Sequence, residues 1–314
     1  MIEVYKTNET KEILEKKKTI VADSWINVID PTPKEIKKLI TELKLDNKTV
    51  KQVLTEDEIS RIDIEENRIL TIIDVPIIEK KSRHISFKTF PLGIFIIQDK
   101  YILTMCSREL DLLNKFKDNE IKGFFTAKKN RFTLQLLSAI AGEYLKSLRL
   151  INEETEKAER LLGKSPENKE LLKLLSIDKS LVYLTTSLKS NEVVFQRLLN
   201  GNILTIYDED KDIIEEAIVK NKQAIELSQI YKDILKGLSN SLSTISSNNL
   251  NNIMKFLTSV TIIISIPTMI ASFMGMNVDL GFFNNNQYAF AIISIISLLG
   301  AIILAIVLKK KNML

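Results

Sequence analysis

The sequence predicts an α/β amino-terminal domain, then long helices, then two carboxy-terminal transmembrane helices. Three observations carry this. Ile-, Thr- and Phe-rich runs punctuated by turns fill roughly the first 110 residues, helical periodicity takes over after them, and two apolar runs of bilayer length close the chain. The boundaries fall at 1–125 for the cytosolic α/β domain, 126–252 for a helical hairpin and stalk helix, and 253–314 for the membrane part.

In chain order, "IVADSWINVI" at 20–29 reads as a strand. It leads into "DPTPKEIKKLITEL", where Thr32, Pro33 and Glu35 form a capping box with proline at the first helical position. "RIDIEENRILTIIDVPII", "ISFKTFPLGIFIIQD" and "KYILTMC" read as adjoining strands of one sheet, whereas the acidic "TEDEISRIDIEE" at 55–66 reads as a solvated face. Helices follow over roughly 130–162 and 169–200, interrupted by "GKSPEN" at 163–168, and these form an antiparallel hairpin. A third helix starts near Asp208. No proline interrupts it before Pro267 and Gly237 is its one glycine before that point, so stalk and first span read as one rod of about 100 Å at ~1.5 Å per residue. The polar "SNSLSTISSNNLNN" at 239–252 offers a break below the membrane as the competing reading.

Residues 256–274 are interrupted only by hydroxyls and Pro267, and 288–308 form the second span. The connecting loop 275–287 has no Lys or Arg, whereas Lys255 precedes the first span and a basic tail, 309–314 with "KKK" at 309–311, follows the second. The positive-inside rule places both termini in the cytoplasm of a multi-pass cell-membrane protein. The amino terminus lacks the apolar core of a signal peptide.

Within the first span (253–274), Thr258, Thr261, Ser265, Thr268 and Ser272 recur at spacings of three and four on one helical face, and Met254 and Asn251 extend it backward. Such a stripe serves either close helix packing or the wall of a watery path. Periodicity leaves both standing, and a path would require a ring of subunits because two helices cannot enclose one. The second span, relieved only by Ser294, Ser297 and Gly300 among Ile, Leu and Ala, reads as the outer, lipid-facing helix.

Composition excludes several classes. Net charge is only +4, so no nucleic-acid footprint exists, and a single cysteine (Cys106) with a single histidine (His84) excludes an intrachain disulfide and a Cys/His zinc site. No "GxxxxGK" loop is present, and no acid–base pair has an obvious placement, so neither an enzyme nor an organic cofactor is expected.

Along the chain stand "LVYLTTSLKSNEVVFQRLL" at 181–199, "NNIMKFLT" at 251–258, "IPT" at 266–268, "GMN" at 275–277 between two spans, and the lysine-rich end. Together with the α/β amino-terminal domain and the long helix, these residues make the whole chain resemble the CorA family of magnesium channels. The resemblance implies a funnel-shaped homopentamer with five first spans lining one pore, gated passively and selective for magnesium. It places Asn277 in an outer selectivity ring presented by Gly275 and Met276, Met254 and Leu257 at a hydrophobic constriction, and Asn251 and Thr268 at polar pore positions. A neutral amide ring suits Mg²⁺, which sheds its waters reluctantly. Regulatory magnesium between cytosolic domains is implied at Glu216, with Glu79 as partner. For Asp208, Glu209 and Asp210 the helix dipole already explains the composition. Two positions depart from the family pattern: Met274 stands where an aromatic residue is common, and the outer loop has Asp279 as its one acid. Cobalt, nickel and zinc therefore stay open as cargo. A membrane-tethered metal sensor or scaffold is the reading from another class.

Overall fold

The computed structural model describes every residue except 9, 11, 12, 82, 83, 163–167, 202, 277–280, 282–286, 312 and 314. It divides into two compact units, Met1–Lys236 and Gly237–Leu314.

The first unit is built on one seven-stranded sheet: β1 (Ile2–Asn8), β2 (Ile13–Lys17), β3 (Ser24–Ile29), β4 (Arg61–Glu65), β5 (Arg68–Lys81), β6 (His84–Ile97) and β7 (Tyr101–Cys106). The spatial order is β2-β1-β3-β7-β6-β5-β4. Only β3 and β7 run parallel, as a strand returning after a long crossover must; the other neighbours are antiparallel. Period-two alternation divides β3 between the two faces. Ile26 and Val28 enter a core with Leu103 and Met105 and with residues of α1 (Pro33–Leu43) and α2 (Asn47–Val53). Trp25 and Asn27 face the other way, where Trp25 Nε1 donates to Thr104 Oγ1 at 2.8 Å and that hydroxyl donates to Asn27 at 3.0 Å. There Trp25 packs against Phe116 of α3 (Asp111–Lys117), Phe124, and Phe132 of α4 (Lys129–Leu162). Sheet and helices thus form three layers.

The α1 capping box is present, with the Thr32 N–H donating to Glu35 Oε2 at 2.8 Å and the Glu35 N–H returning to Thr32 Oγ1 at 3.4 Å. Gly93 is required where α2 crosses β6. A Cβ there would stand 2.6 Å from a Val53 methyl carbon, so only glycine allows the approach. The β1–β2 hairpin was not expected from the sequence. Part of 55–66 is also more than a solvated face: Arg61–Glu65 is β4, the sheet's edge strand, with Ile62 buried against the core.

α4 and α5 (Asn168–Asn200) are antiparallel. Glu154 pairs with Lys173 at 2.6 Å, while Tyr144 and Asn191 meet at one carbonyl, so position rises along α4 as it falls along α5. The break between them lies outside the described residues. α6 runs unbroken over Asp208–Met274, which overturns the competing expectation of a break at 239–252. The cost of Ser and Asn in a helix is only a few tenths of a kcal/mol each. Ser241 and Thr244 donate to the carbonyls of Gly237 and Asn240, so their hydroxyls are satisfied without unwinding the helix. In the second unit the end of α6 pairs with α7 (Ala289–Lys310), and both helices are long and apolar enough to cross a membrane.

Candidate permeation face

The two apolar helices pack through small residues. Ser297, Ala301 and Leu308 of α7 are buried, and a Cβ on Gly300 would touch an Ile266 methyl carbon at 3.4 Å, so the second span packs its glycine against that α6 side chain. On α6 the side turned from solvent carries Ser259, fully buried, with the half-buried Val260, Ile263, Ile266, Pro267, Ile270 and Met274. Ser259 Oγ donates to the Met313 carbonyl at 2.8 Å. The sequence stripe passed over Ser259, whose hydroxyl serves packing. Its only signal was a small polar residue in an apolar run.

Asn251, Met254, Leu257, Thr258, Thr261, Ser265, Thr268 and Ser272 are all exposed. At about 100° per residue they share an arc of roughly 120° centred about opposite the α7 contact face. The stripe is therefore not what joins α6 to α7. Thr261 donates to the Leu257 carbonyl at 2.9 Å, Ser265 to Ile262 at 2.8 Å and Thr268 to Ile264 at 3.0 Å. With their protons turned inward, these hydroxyls present lone pairs outward. Pro267 lies in the same turn and removes the N–H that would bond the Ile263 carbonyl.

At the far end of α6 the Gly275 N–H donates to the Ala271 and Ser272 carbonyls at 3.1 and 3.2 Å, and the Met276 N–H to Phe273 at 3.3 Å. Gly275 is not a left-handed cap. A Cβ there would make only ordinary 3.6 Å contacts, so nothing among the described residues requires glycine. Met276 is exposed. Asn277 and Asp279 lie outside the described residues.

In the first unit, Glu216 of α6 pairs with Lys220 at 3.0 Å and accepts from Ser138 of α4 at 3.4 Å. Glu79 of β5 pairs with Lys88 at 3.5 Å. Among the described residues of one chain, no group of three or more His, Cys, Asp or Glu gathers to hold a metal. The acids opening α6 are occupied: Asp208 by Lys211, Glu209 by Lys128, and buried Asp210 by Arg131 at 2.6 Å. Glu209 and Asp210, but not Asp208, line one wall of a cleft of about 1030 Å³. Cys106 is buried and its thiol is pushed up to about 11 by that burial, so it is no nucleophile.

Sequence reasoning missed Asp74. Beyond the end of β4, its peptide is captured by the Asn191 amide, which accepts from the Asp74 N–H at 3.0 Å and donates to its carbonyl at 2.9 Å; Tyr144 donates to the same carbonyl at 3.1 Å. Burial pushes the carboxyl up to about 6, partly offset by a Ser187 hydrogen bond. A folded value above the unfolded ~3.9 means the folded state holds the proton more tightly. Its contribution to stability is full below about pH 4 and is lost as pH rises through about 6, by roughly 2–3 kcal/mol. We expect Asp74→Asn to remove that fall, so its stability gain over the parent grows between pH 4 and 7.5 in urea titrations. A constant difference would contradict the buried carboxyl's role.

The family described as CorA-like Mg²⁺ transporter protein matches residues 23–310. The chain is 25% identical over 297 residues to the cobalt/magnesium transport protein CorA of Methanocaldococcus jannaschii, covering 92% of this chain and 90% of that one. The complete structure of the CorA magnesium transporter from Methanocaldococcus jannaschii superposes with a TM-score of 0.83 at 22% identity, covering 98% and 96% of the two chains. The full-length CmaX protein superposes at 0.69 and 14% identity, covering 96% and 97%. With the match spanning both the sheet domain and the two apolar helices, this chain belongs to the CorA-like Mg²⁺ transporter family.

Proposed function

We propose that copies of this chain form a gated, passive path for Mg²⁺, and for Co²⁺ as the name of the Methanocaldococcus relative indicates, across the cell membrane. The observation that carries this is the hydroxyl face of α6, turned away from α7 with its protons already donated to its own helix. A hydrated cation presents water protons outward, and outward lone pairs accept them without stripping the shell, which Mg²⁺ gives up reluctantly. Two spans per chain require a ring of copies, and the family resemblance makes it a pentamer.

In that ring Asn277 forms the outer amide filter, Gly275 and Met276 shape the helix end that carries it, and Asp279 is the one nearby acid. Met254 and Leu257 narrow the cytosolic end, where exposed apolar side chains close a pore by excluding water. Lys255 and Lys309–Lys311 hold that end in the cytoplasm. An inside-negative potential drives entry with about 4.6 kcal/mol per divalent ion at 100 mV, so no nucleotide is needed. Uptake by a magnesium-requiring bacterial strain expressing this chain tests the reading; no divalent uptake despite membrane expression would overturn it.

For gating, Mg²⁺ bound between neighbouring cytosolic units at Glu216 and Glu79 holds the path closed. Millimolar Mg²⁺ is then expected to slow proteolysis of the cytosolic part, and Glu216→Ala to lose that protection. Equal cleavage rates with and without Mg²⁺, together with unaltered flux in Glu216→Ala, would remove this site.

A further inference from the structure

We propose that Lys255 of α6 with Lys309, Lys310 and Lys311 of α7 forms a binding surface for the phosphate of an anionic phospholipid headgroup. The sequence has no Asp or Glu over 234–278 or 280–314, so Asp279, at the opposite end of the spans, is the only acidic side chain in the second unit. In the first unit lysines commonly meet a carboxylate, as in the Lys115–Glu143, Lys157–Glu154 and Lys220–Glu216 pairs.

The helix dipole accounts for lysines ending α7 but not for Lys255, which lies within α6 and has Asn251, Asn252, Thr258 and Ser259 at its helical neighbour positions. The chain end brings the two sets of lysines to one level. The Lys311 N–H donates to Val307 and Leu308 carbonyls, the Met313 N–H returns to Leu308 at 3.1 Å, and the Met313 carbonyl accepts from Ser259, one turn beyond Lys255. All four lysines are exposed, beside a seam closed by buried Ser259 and Leu308. A lipid phosphate fits because it lies at that depth of the bilayer, is anionic, and can be shared by lysines from both spans. It would fasten α7 to α6 at the cytosolic end and would weaken with salt.

The inference rests on the spans crossing a bilayer and not on the ion path. The test is retention of phosphatidylglycerol against phosphatidylcholine by the purified full-length protein, read by native mass spectrometry and by thermal midpoint at low and high salt. The parent is expected to retain phosphatidylglycerol selectively at low salt, with affinity falling about fivefold for each lysine changed to glutamine. A Lys→Arg variant at all four positions should keep selectivity, which separates charge from folding. Equal response to the two lipids, or a four-glutamine variant that behaves like the parent, would overturn the proposal. So would an equal effect of inorganic phosphate, which would mark a general anion site. Magnesium uptake measured in parallel separates the two claims: lost lipid selectivity with uptake intact sinks this inference alone, and the reverse sinks only the ion path.

Discussion

Asn277→Ala is expected to cut magnesium uptake roughly tenfold or more at equal membrane expression, because losing even one net hydrogen bond of about 1.4 kcal/mol at the entry changes occupancy tenfold. In a ring the loss is repeated by every copy. In the proposed filter, asparagine would combine hydrogen bonding with neutrality, which neither alanine nor aspartate does. Alanine offers nothing to the water shell, whereas a ring of carboxylates would hold divalent ions too tightly to release them quickly. Asn277→Asp should therefore bind divalent ions more tightly while passing them more slowly. Uptake by Asn277→Ala equal to the parent's would show that selection occurs elsewhere, with Thr268 and Asn251 the next positions to change.

The second large effect concerns stability. Arg131, in the first turn of α4, reaches Asp210 at 2.6 Å, and Asp210 is only 2% exposed. Arg131→Ala would strand a buried carboxylate, and breaking one side of such a pair costs about 3–5 kcal/mol. We expect urea unfolding of the first unit to shift by that order, with the start of α6 becoming the first segment cleaved by protease. Adding Asp210→Asn should recover part of the loss, because the orphaned charge is then gone. A shift below about 1 kcal/mol would show that water already reaches Asp210 and that the pair is an ordinary surface contact.

Most of the fold was legible because its elements are long and strongly patterned. β3, β5, β6 and β7 are apolar runs, Thr32 to Glu35 states its own cap, and α6 carries helical periodicity from Asp208 onward. The β1–β2 hairpin was not, because "IEVYKTN" and "ILEKK" mix charges into the alternation. Glu3 is buried there only because Lys16 and Lys117 reach it; burial disfavours its charge, yet those hydrogen bonds hold its carboxyl down to about 2.

The hydroxyl stripe was visible as spacing, but its partner was not. Small polar residues in an apolar helix serve packing and permeation alike, and only the position of α7 assigns Ser259 to the first and Thr261, Ser265 and Thr268 to a different face. Asp74 was out of reach for another reason. Its surroundings come from Tyr144 and Asn191, 70 and 117 residues away in sequence, and no local pattern announces such a meeting.

On the proposed function, the face of α6 opposite α7 lines the path of the ion. Single cysteines at 258, 261, 265, 268 and 272, and separately at 259, 263, 266 and 270, would be tested for block of magnesium uptake by Cd²⁺ in proteoliposomes. The chain's own Cys106 is 1% exposed and stays silent. The expected result is block at the first set and little at the second. Equal block on both faces, or none along the hydroxyl stripe while the parent still transports, would place the ion path elsewhere.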